Sequence, residues 1–375
     1  MSSPSSKGRS KSFVAATVFL VIAVVSIVIG RGGISMPDFD SSEDVHHITG
    51  AISPEHEEYF KDPATIKALK ERHIELEVDV FSAPDMIGLI ENSPKKYDFF
   101  MTELDGAAHT LETWDANTVR TQSDGSSTQV FSTPLIALVH SDLVEDMKSH
   151  NVVTEENGYK TLNLHTLVDL SLEDKRWRDI SPAFGSPRAV DVAVPRVTES
   201  NAALRYAAEI NSVAMGPAAE EVGRDDMARV RERAGEITRL LVADQGYGET
   251  TSQGMLDAFL RMGKGEMPMV LTTEAQYLRL VRDGKDMSAY TSLLLSPSAS
   301  LNSTVVPRTE EGDMMAAALG QEPFQEAAAK RGLRTVKPEY FANFGLQHGY
   351  YILKHDDEVN PPMWDQYDML LKELS

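Results

Sequence analysis

Short apolar segments alternate with helical segments along the chain, and this alternation constrains the fold more than any other feature. Apolar segments at 46–52, 74–81 and 97–101 have the composition of strands. Helical patterns at 54–72 and 84–92 lie between them. Strands that alternate with helices indicate a parallel sheet of the α/β class. The sequence therefore predicts an α/β fold.

Polar residues follow two of these predicted strands. Ser53 comes directly after the first, and Thr102 and Glu103 come directly after the third. In open α/β sheets, ligands bind beyond the carboxyl ends of the strands. We therefore expect Ser53, Thr102 and Glu103 to face a ligand-binding cleft.

A strand, a polar turn and a helix follow one another at 192–210. The apolar residues 192–194 precede Thr198, Glu199, Ser200 and Asn201, after which apolar residues recur at helical spacing. Thr198, Ser200 and Asn201 are each suitable N-caps. Free backbone N–H groups and the positive end of a helix dipole can hold an anionic or strongly polar ligand. Most such junctions bind nothing, so this pattern needs support from the rest of the chain.

The apolar segment 129–140 is interrupted by Ser132, Thr133 and Pro134. Proline cannot donate to a sheet ladder, so the pattern favours a connector between two lobes over one uninterrupted central strand. The polar segment 106–128 is predicted to be a loop. The chain after Pro338 is predicted to be irregular, except for a closing helix at 364–374.

The N-terminus has the pattern of a membrane anchor. Residues 1–12 carry three basic residues, residues 13–30 form an uncharged apolar run, and residues 31–45 resemble a flexible linker. The basic residues predict a cytoplasmic N-terminus, a single-pass transmembrane signal-anchor and an extracytoplasmic remainder. The alternative is a cleaved secretory signal, but the run is long and no clean cleavage site follows it.

Composition excludes several classes of function. Acidic residues outnumber basic ones by 57 to 36, a formal net charge of −21, which disfavours nucleic-acid binding. The chain has no cysteine, so thiol catalysis and cysteine-ligated metals are excluded. Neither a Walker A motif nor a dinucleotide fingerprint is present, and no cofactor is expected. Adjacent His46 and His47 face opposite sides of a strand, so they do not predict a metal site.

The order of several segments resembles bacterial extracellular solute-binding proteins of ABC uptake systems, which have the type 2 periplasmic-binding-protein fold. Residues 48–63 are similar to that family's opening strand, ligand loop and helix, and 131–139 to its strand that crosses into the second lobe. The turn 198–201 and the segments 254–274 and 325–334 are also similar. Ala202 stands where the family pattern has a second serine.

The resemblance implies two α/β lobes joined by a hinge. The first lobe would hold residues 46–133 and return at 291–337, the second would hold 134–290, and 338–375 would form a tail. The ligand groups that the resemblance implies come from five places in the chain. They are Gly50, Ala51, Ile52 and Ser53; Thr102 and Glu103; Ser132 and Thr133; Thr198, Glu199, Ser200 and Asn201; and Thr272, Thr273 and Glu274.

The main hypothesis is a membrane-tethered, extracytoplasmic protein that captures a small polar or anionic ligand for an ABC permease on a separate chain. It requires no catalysis. A second hypothesis is a ligand-sensing or protein-interaction module of the same fold. The third is an extracellular hydrolase, although no G-x-S-x-G motif is present and no histidine partner can be assigned to a serine.

Overall fold

The computed structural model describes residues 45–92, 96–118, 127–156, 159–350 and 360–375. The predicted cytoplasmic segment 1–12, the signal-anchor 13–30 and residues 31–44 of the linker lie outside them. Within the described parts of the chain, no helix combines the length and apolar character needed to cross a bilayer.

The first sheet is mixed. It contains, in spatial order, β2 (Ile74–Val80), β1 (His46–Ile52), β3 (Phe99–Thr102), β9 (Ser300–Pro307), β4 (Thr128–His140) and β10 (Arg334–Thr335). Strands β2, β1 and β3 are parallel, whereas β9 is antiparallel to its neighbours β3 and β4. The carboxyl ends of β1 and β3 therefore lie at the same edge.

The second sheet uses the other half of β4. Its spatial order is β7 (Met269–Thr273), β4, β8 (Tyr290–Ser296), β6 (Tyr159–Asn163) and β5 (Val153–Glu156). Strands β6 and β8 are parallel, and the other pairs are antiparallel.

Strand β4 belongs to both sheets. Up to Pro134 it pairs with β9, and from Leu135 it pairs with β7 and β8. The segment does connect two sheets, and the expectation that no uninterrupted strand would form here is wrong. Proline is tolerated because its missing N–H coincides with the change of partner strands. The chain crosses between the sheets again from the end of β8 to the start of β9.

Helices cover both sheets. In the described residues they are α1 (Pro54–Phe60), α2 (Pro63–Lys70), α3 (Ala83–Asn92), α4 (Asp105–Thr118), α5 (Val144–Ser149), α6 (Leu164–Leu172), α7 (Trp177–Ile180), α8 (Asn201–Val222), α9 (Met227–Val242), α10 (Ser252–Met262), α11 (Glu274–Arg282), α12 (Glu310–Leu319), α13 (Glu322–Lys330), α14 (Pro338–Gln347) and α15 (Trp364–Leu374).

Two predictions of irregular structure are wrong. The predicted loop 106–128 begins with helix α4, and the predicted irregular tail contains helix α14. Ala107, Ala108 and Leu111 of α4 are buried although the helix has weak amphipathic periodicity. Tertiary packing, which a local pattern does not record, therefore determines the structure of this segment.

The C-terminal helix contacts elements of both sheets. Helix α15 packs against α4, which follows β3 of the first sheet, and against α8 and α9, which share a hydrophobic core with strands of the second sheet. Gly106 of α4 lies against the backbone that leads into α15. A Cβ atom on Gly106 would be 2.5 Å from the Pro362 carbonyl oxygen. Tyr367 is fully buried and Leu371 largely so. The tail is therefore part of the folded core.

We expect Gly106→Ala to lower the free energy of unfolding by about 1–3 kcal/mol, because the new methyl group displaces backbone of the C-terminal segment. Gly88→Ala, in helix α3, is the matched control. Its Cβ meets no atom within 4 Å, so it should be neutral or mildly stabilising. Urea denaturation measures both, and equal effects of the two variants would contradict the tight contact.

Candidate functional site

A buried polar contact joins the ends of the first sheet's strands to the start of helix α8. Asn201, the first residue of α8, donates from Nδ2 to Glu103 Oε2 at 2.7 Å and to Ser53 Oγ at 3.2 Å. All three residues are at most 3% exposed. Ser53 follows β1 and Glu103 follows β3, so the parallel strands bring them together. The contact therefore links elements that cover different sheets.

His56 of helix α1 extends this cluster into the first sheet. Its Nδ1 lies 3.0 Å from Glu103 Oε1, and its Nε2 lies 2.9 Å from Ser303 Oγ on β9. Burial alone raises the pKa of Glu103. The electrostatic interaction with the nearby His56 ring, together with the contacts from Asn201 and Ser53, outweighs burial and holds this pKa below its usual value. The carboxylate form of Glu103 is therefore favoured.

Glu55 is a second acid beside this carboxylate. Burial, followed by the negative charge of Glu103, raises the pKa of Glu55 to about 8. Its Oε2 atom is buried and has no hydrogen-bond partner. At neutral pH the site therefore holds one ionised acid and one predominantly protonated acid.

A separate cluster lies around Glu274 at the start of helix α11. Arg334 of β10 donates two hydrogen bonds to its carboxylate, at 2.6 and 2.8 Å, and Tyr350 donates a third at 2.9 Å. The neighbouring Ala275 N–H donates to Thr133 Oγ1 at 3.1 Å. This cluster connects α11, which follows β7 of the second sheet, to β4 and β10 of the first sheet.

Comparisons with known proteins place this geometry in a known fold. No protein-family model matches the chain, and no curated protein matches its sequence. Iron-bound HitA from Pseudomonas aeruginosa is similar in structure, with a TM-score of 0.53, 12% identity, and coverage of 88% of this chain and 99% of that chain. The sulfate-binding protein SubI from Mycobacterium tuberculosis H37Rv is also similar, with a TM-score of 0.50 and 14% identity. The match covers 83% of this chain and 93% of SubI.

This chain has the type 2 periplasmic-binding-protein fold. A two-component system protein that mediates signal transduction is also similar, with a TM-score of 0.51, 12% identity, and coverage of 88% of this chain and 100% of that chain. At these identities the likeness concerns the fold alone. In periplasmic-binding-protein terms, the first sheet forms one lobe and the second sheet the other.

Ser53, Glu103 and Asn201 are the predicted site residues that the structure brings together between the lobes. Ser200 caps α8 by accepting from the Ala203 N–H, and its hydroxyl lies 3.2 Å from Ser252 Oγ. Thr198 and Glu199, in the same turn, are exposed.

The other predicted residues make none of the side-chain contacts described around Glu103. Gly50, Ala51 and Ile52 are buried within β1, and Thr102 is buried at the end of β3. Ser132, Thr133 and Glu274 lie where β4, β10 and α11 meet. Thr272 and Thr273 both bond to Gln276 in the first turn of α11.

His56, Glu55 and Ser303 were not predicted as site residues. A usable signal existed for the first two, because they stand in the first turn of a helix that begins beside Ser53. Ser303 gave no local signal, since its role depends on β9 pairing beside β3. In the described residues, no group of three or more His, Asp or Glu side chains is placed to hold a metal ion.

Stability should decrease as pH rises because of Glu55. Its folded-state pKa of about 8 lies above the usual 4.5, so the folded state retains a proton that the unfolded chain loses. The stabilisation is present below pH 4.5 and is lost as pH rises toward 8. Urea denaturation from pH 5 to 8.5 should show that Glu55→Gln flattens this decrease. Glu57→Gln, at an exposed neighbouring carboxylate, should retain the wild-type slope.

Proposed function

We propose that this protein captures a small polar or anionic solute between its two lobes and delivers it to an ABC permease on a separate chain. The observation that supports this most is the contact between Asn201 and Glu103, in which buried polar groups of different lobes meet. Buried polar groups are costly unless they are hydrogen-bonded. If the lobes separate, these polar groups lose their hydrogen bonds to each other. A polar ligand between the lobes could replace the lost bonds.

The proposed mechanism is lobe opening and closure. Opening separates Asn201 from Glu103 and Ser53, and these groups then become available to solvent or ligand. Closure around the ligand excludes water and strengthens each hydrogen bond. The covalent connections through β4 and through the segment between β8 and β9 keep the two lobes joined during this movement.

Ligand contacts are proposed at Ser53, Glu103, Ser200 and Asn201, where the lobes meet. The Glu274 cluster is proposed to act as a lobe–lobe contact, because its carboxylate already has two donors from Arg334 and one from Tyr350. We also propose that residues 13–30 anchor the protein in the membrane with the lobes outside the cytoplasm. The uncharged run behind a basic N-terminus supports this.

A thermal-shift screen of the full chain against oxyanions, sugars, amino acids, amines and peptides tests the function. A ligand at 100 times its Kd should add about 2.7 kcal/mol of stability. The double variant Ser200→Ala and Asn201→Ala should lose the shift, because the proposed ligand contacts include both side chains.

The matched control for this screen is Thr309→Ala, which removes the N-cap of α12 in the first lobe. It should lower the melting temperature but keep the ligand-induced shift. A shift that survives in the double variant would contradict the site assignment. The absence of any shift across all the compounds would contradict solute binding.

Sensing is a second candidate function, and the similarity to a two-component system protein supports it. The same lobe closure would then alter contact with a signalling partner instead of a permease. Copurification with a permease after crosslinking in membranes would favour transport over sensing.

Hydrolysis is a third candidate because Ser303, His56 and Glu103 are spaced as a nucleophile, a base and an acid, with separations of 2.9 and 3.0 Å. The position of Ser303 disfavours it. Ser303 is 3% exposed and lies within β9, between β3 and β4, where backbone N–H groups bond to neighbouring strands instead of forming an oxyanion hole.

A Ser303→Ala variant distinguishes hydrolysis from binding. If the protein hydrolyses esters or amides, this change should reduce turnover by at least about a thousandfold. If the protein binds a solute without catalysis, Ser303→Ala should leave ligand affinity within a fewfold of wild type. Chromogenic ester assays and calorimetry measure the two properties.

A further inference from the structure

The hydrogen-bond donors between the lobes are already committed to a carboxylate. Asn201 Nδ2 and the His56 ring approach Glu103 at 2.7 and 3.0 Å, and the Asn201 amide also contacts Ser53. These are donors that an oxyanion would require. An anion entering here would compete with Glu103 for them and would be repelled by its charge.

Some hydrogen-bond acceptors at this site, in contrast, have no donor. Glu55 Oε2 is buried beside Glu103 and receives no hydrogen bond. A buried acceptor without a donor costs free energy, about 1–3 kcal/mol for a typical group. Glu103 Oε2 would join it as a free acceptor whenever lobe opening removed Asn201. The open cleft therefore presents oxygens of two acidic side chains, Glu103 and Glu55, side by side.

We infer that the solute presents a cationic hydrogen-bond donor, an ammonium or guanidinium group, to Glu103 and Glu55. This inference rests on the proposed binding function, and of its two ligand classes, polar and anionic, it replaces the anionic one with a polar solute that carries a positive charge. A guanidinium group has five N–H donors in one plane and can bond two carboxylates. The oxyanion expected from the helix start alone is disfavoured, because Glu103 already supplies the negative charge that the start of α8 attracts.

Binding of a cation should be coupled to proton release from Glu55. A positive charge at the site favours the ionised form of Glu55, whose pKa of about 8 keeps it largely protonated at neutral pH. The titratable groups nearest to it are Glu103, which follows β3, and His56 on its own helix. Affinity for a cation should therefore rise with pH up to about 8, by at most about tenfold per pH unit. Affinity for an anion would show the opposite trend.

Isothermal titration calorimetry of the full chain tests this inference. The probes are methylguanidine, agmatine and putrescine on one side and sodium sulfate and sodium phosphate on the other, at constant ionic strength. We expect a cationic probe to bind more tightly at pH 8.5 than at pH 6.5. Glu103→Gln should weaken this binding at least tenfold, and Glu55→Gln should remove its pH dependence.

Glu57→Gln is the matched control, because Glu57 lies on the same helix and pairs with Lys61 at the surface. It should bind the cationic probe as the wild type does. Circular dichroism of each variant verifies that it is folded.

The other possible results would contradict the ligand class, the site or the proposed function. Binding of sulfate or phosphate that depends on Asn201 would overturn the cationic ligand class and leave the proposed binding function intact. Cation binding that is unchanged in Glu103→Gln and Glu55→Gln would overturn the site. If neither class of probe binds, the cationic ligand class is contradicted, and the proposed function is contradicted only when the sugars, amino acids and peptides of the thermal-shift screen also give no shift.

Discussion

The buried carboxylate of Glu103 is the group on which the arrangement of the two lobes depends. An ionised carboxylate is stable in a protein interior only when it is paired and hydrogen-bonded, and removal of one partner from such a pair typically costs about 3–5 kcal/mol. Glu103 receives its partners from helix α1 of its own lobe and from helix α8 of the other lobe. In the proposed mechanism, lobe closure therefore also stabilises this charge.

The architecture explains how these partners meet. Parallel strands β1 and β3 end at one edge, which places Ser53 and Glu103 side by side. Strand β4 crosses from the first sheet to the second at Pro134 and positions the second lobe so that α8 begins opposite that edge. A chain without a shared strand would have no comparable constraint on where Asn201 lies.

The sequence was informative where local chemistry determines position. Ser53, Glu103 and Asn201 were predicted to line a cleft because each stands at a strand end or a helix start, and the structure brings them together. His56 was missed because its inward orientation depends on the phase of α1 above the sheet. Thr198 and Glu199 illustrate the limit of a turn motif, since the chain uses Ser200 as the cap and leaves both residues exposed.

Longer-range packing was not predictable in the same way. The segment that contains α4 has too little periodicity to indicate a helix, and its stability comes from Ala107, Ala108 and Leu111 against the rest of the fold. The broad α/β organisation was recoverable because strand and helix patterns alternate over many residues. Residues that complete the site, such as Ser303, could not be predicted in this way, because strands and helices far apart in the sequence position them.

Helix α15 gives the molecule a third link between its lobes, in addition to the two covalent crossings. It contacts α4 on one side and α8 and α9 on the other, so the lobes cannot separate widely while all of these contacts persist. In the proposed function, these contacts of the tail contribute to the free-energy difference between open and closed forms, and the apparent affinity for a solute includes that difference. Residues such as Leu371, which lie in the tail and not beside Glu103, would then influence the concentration at which a solute is retained.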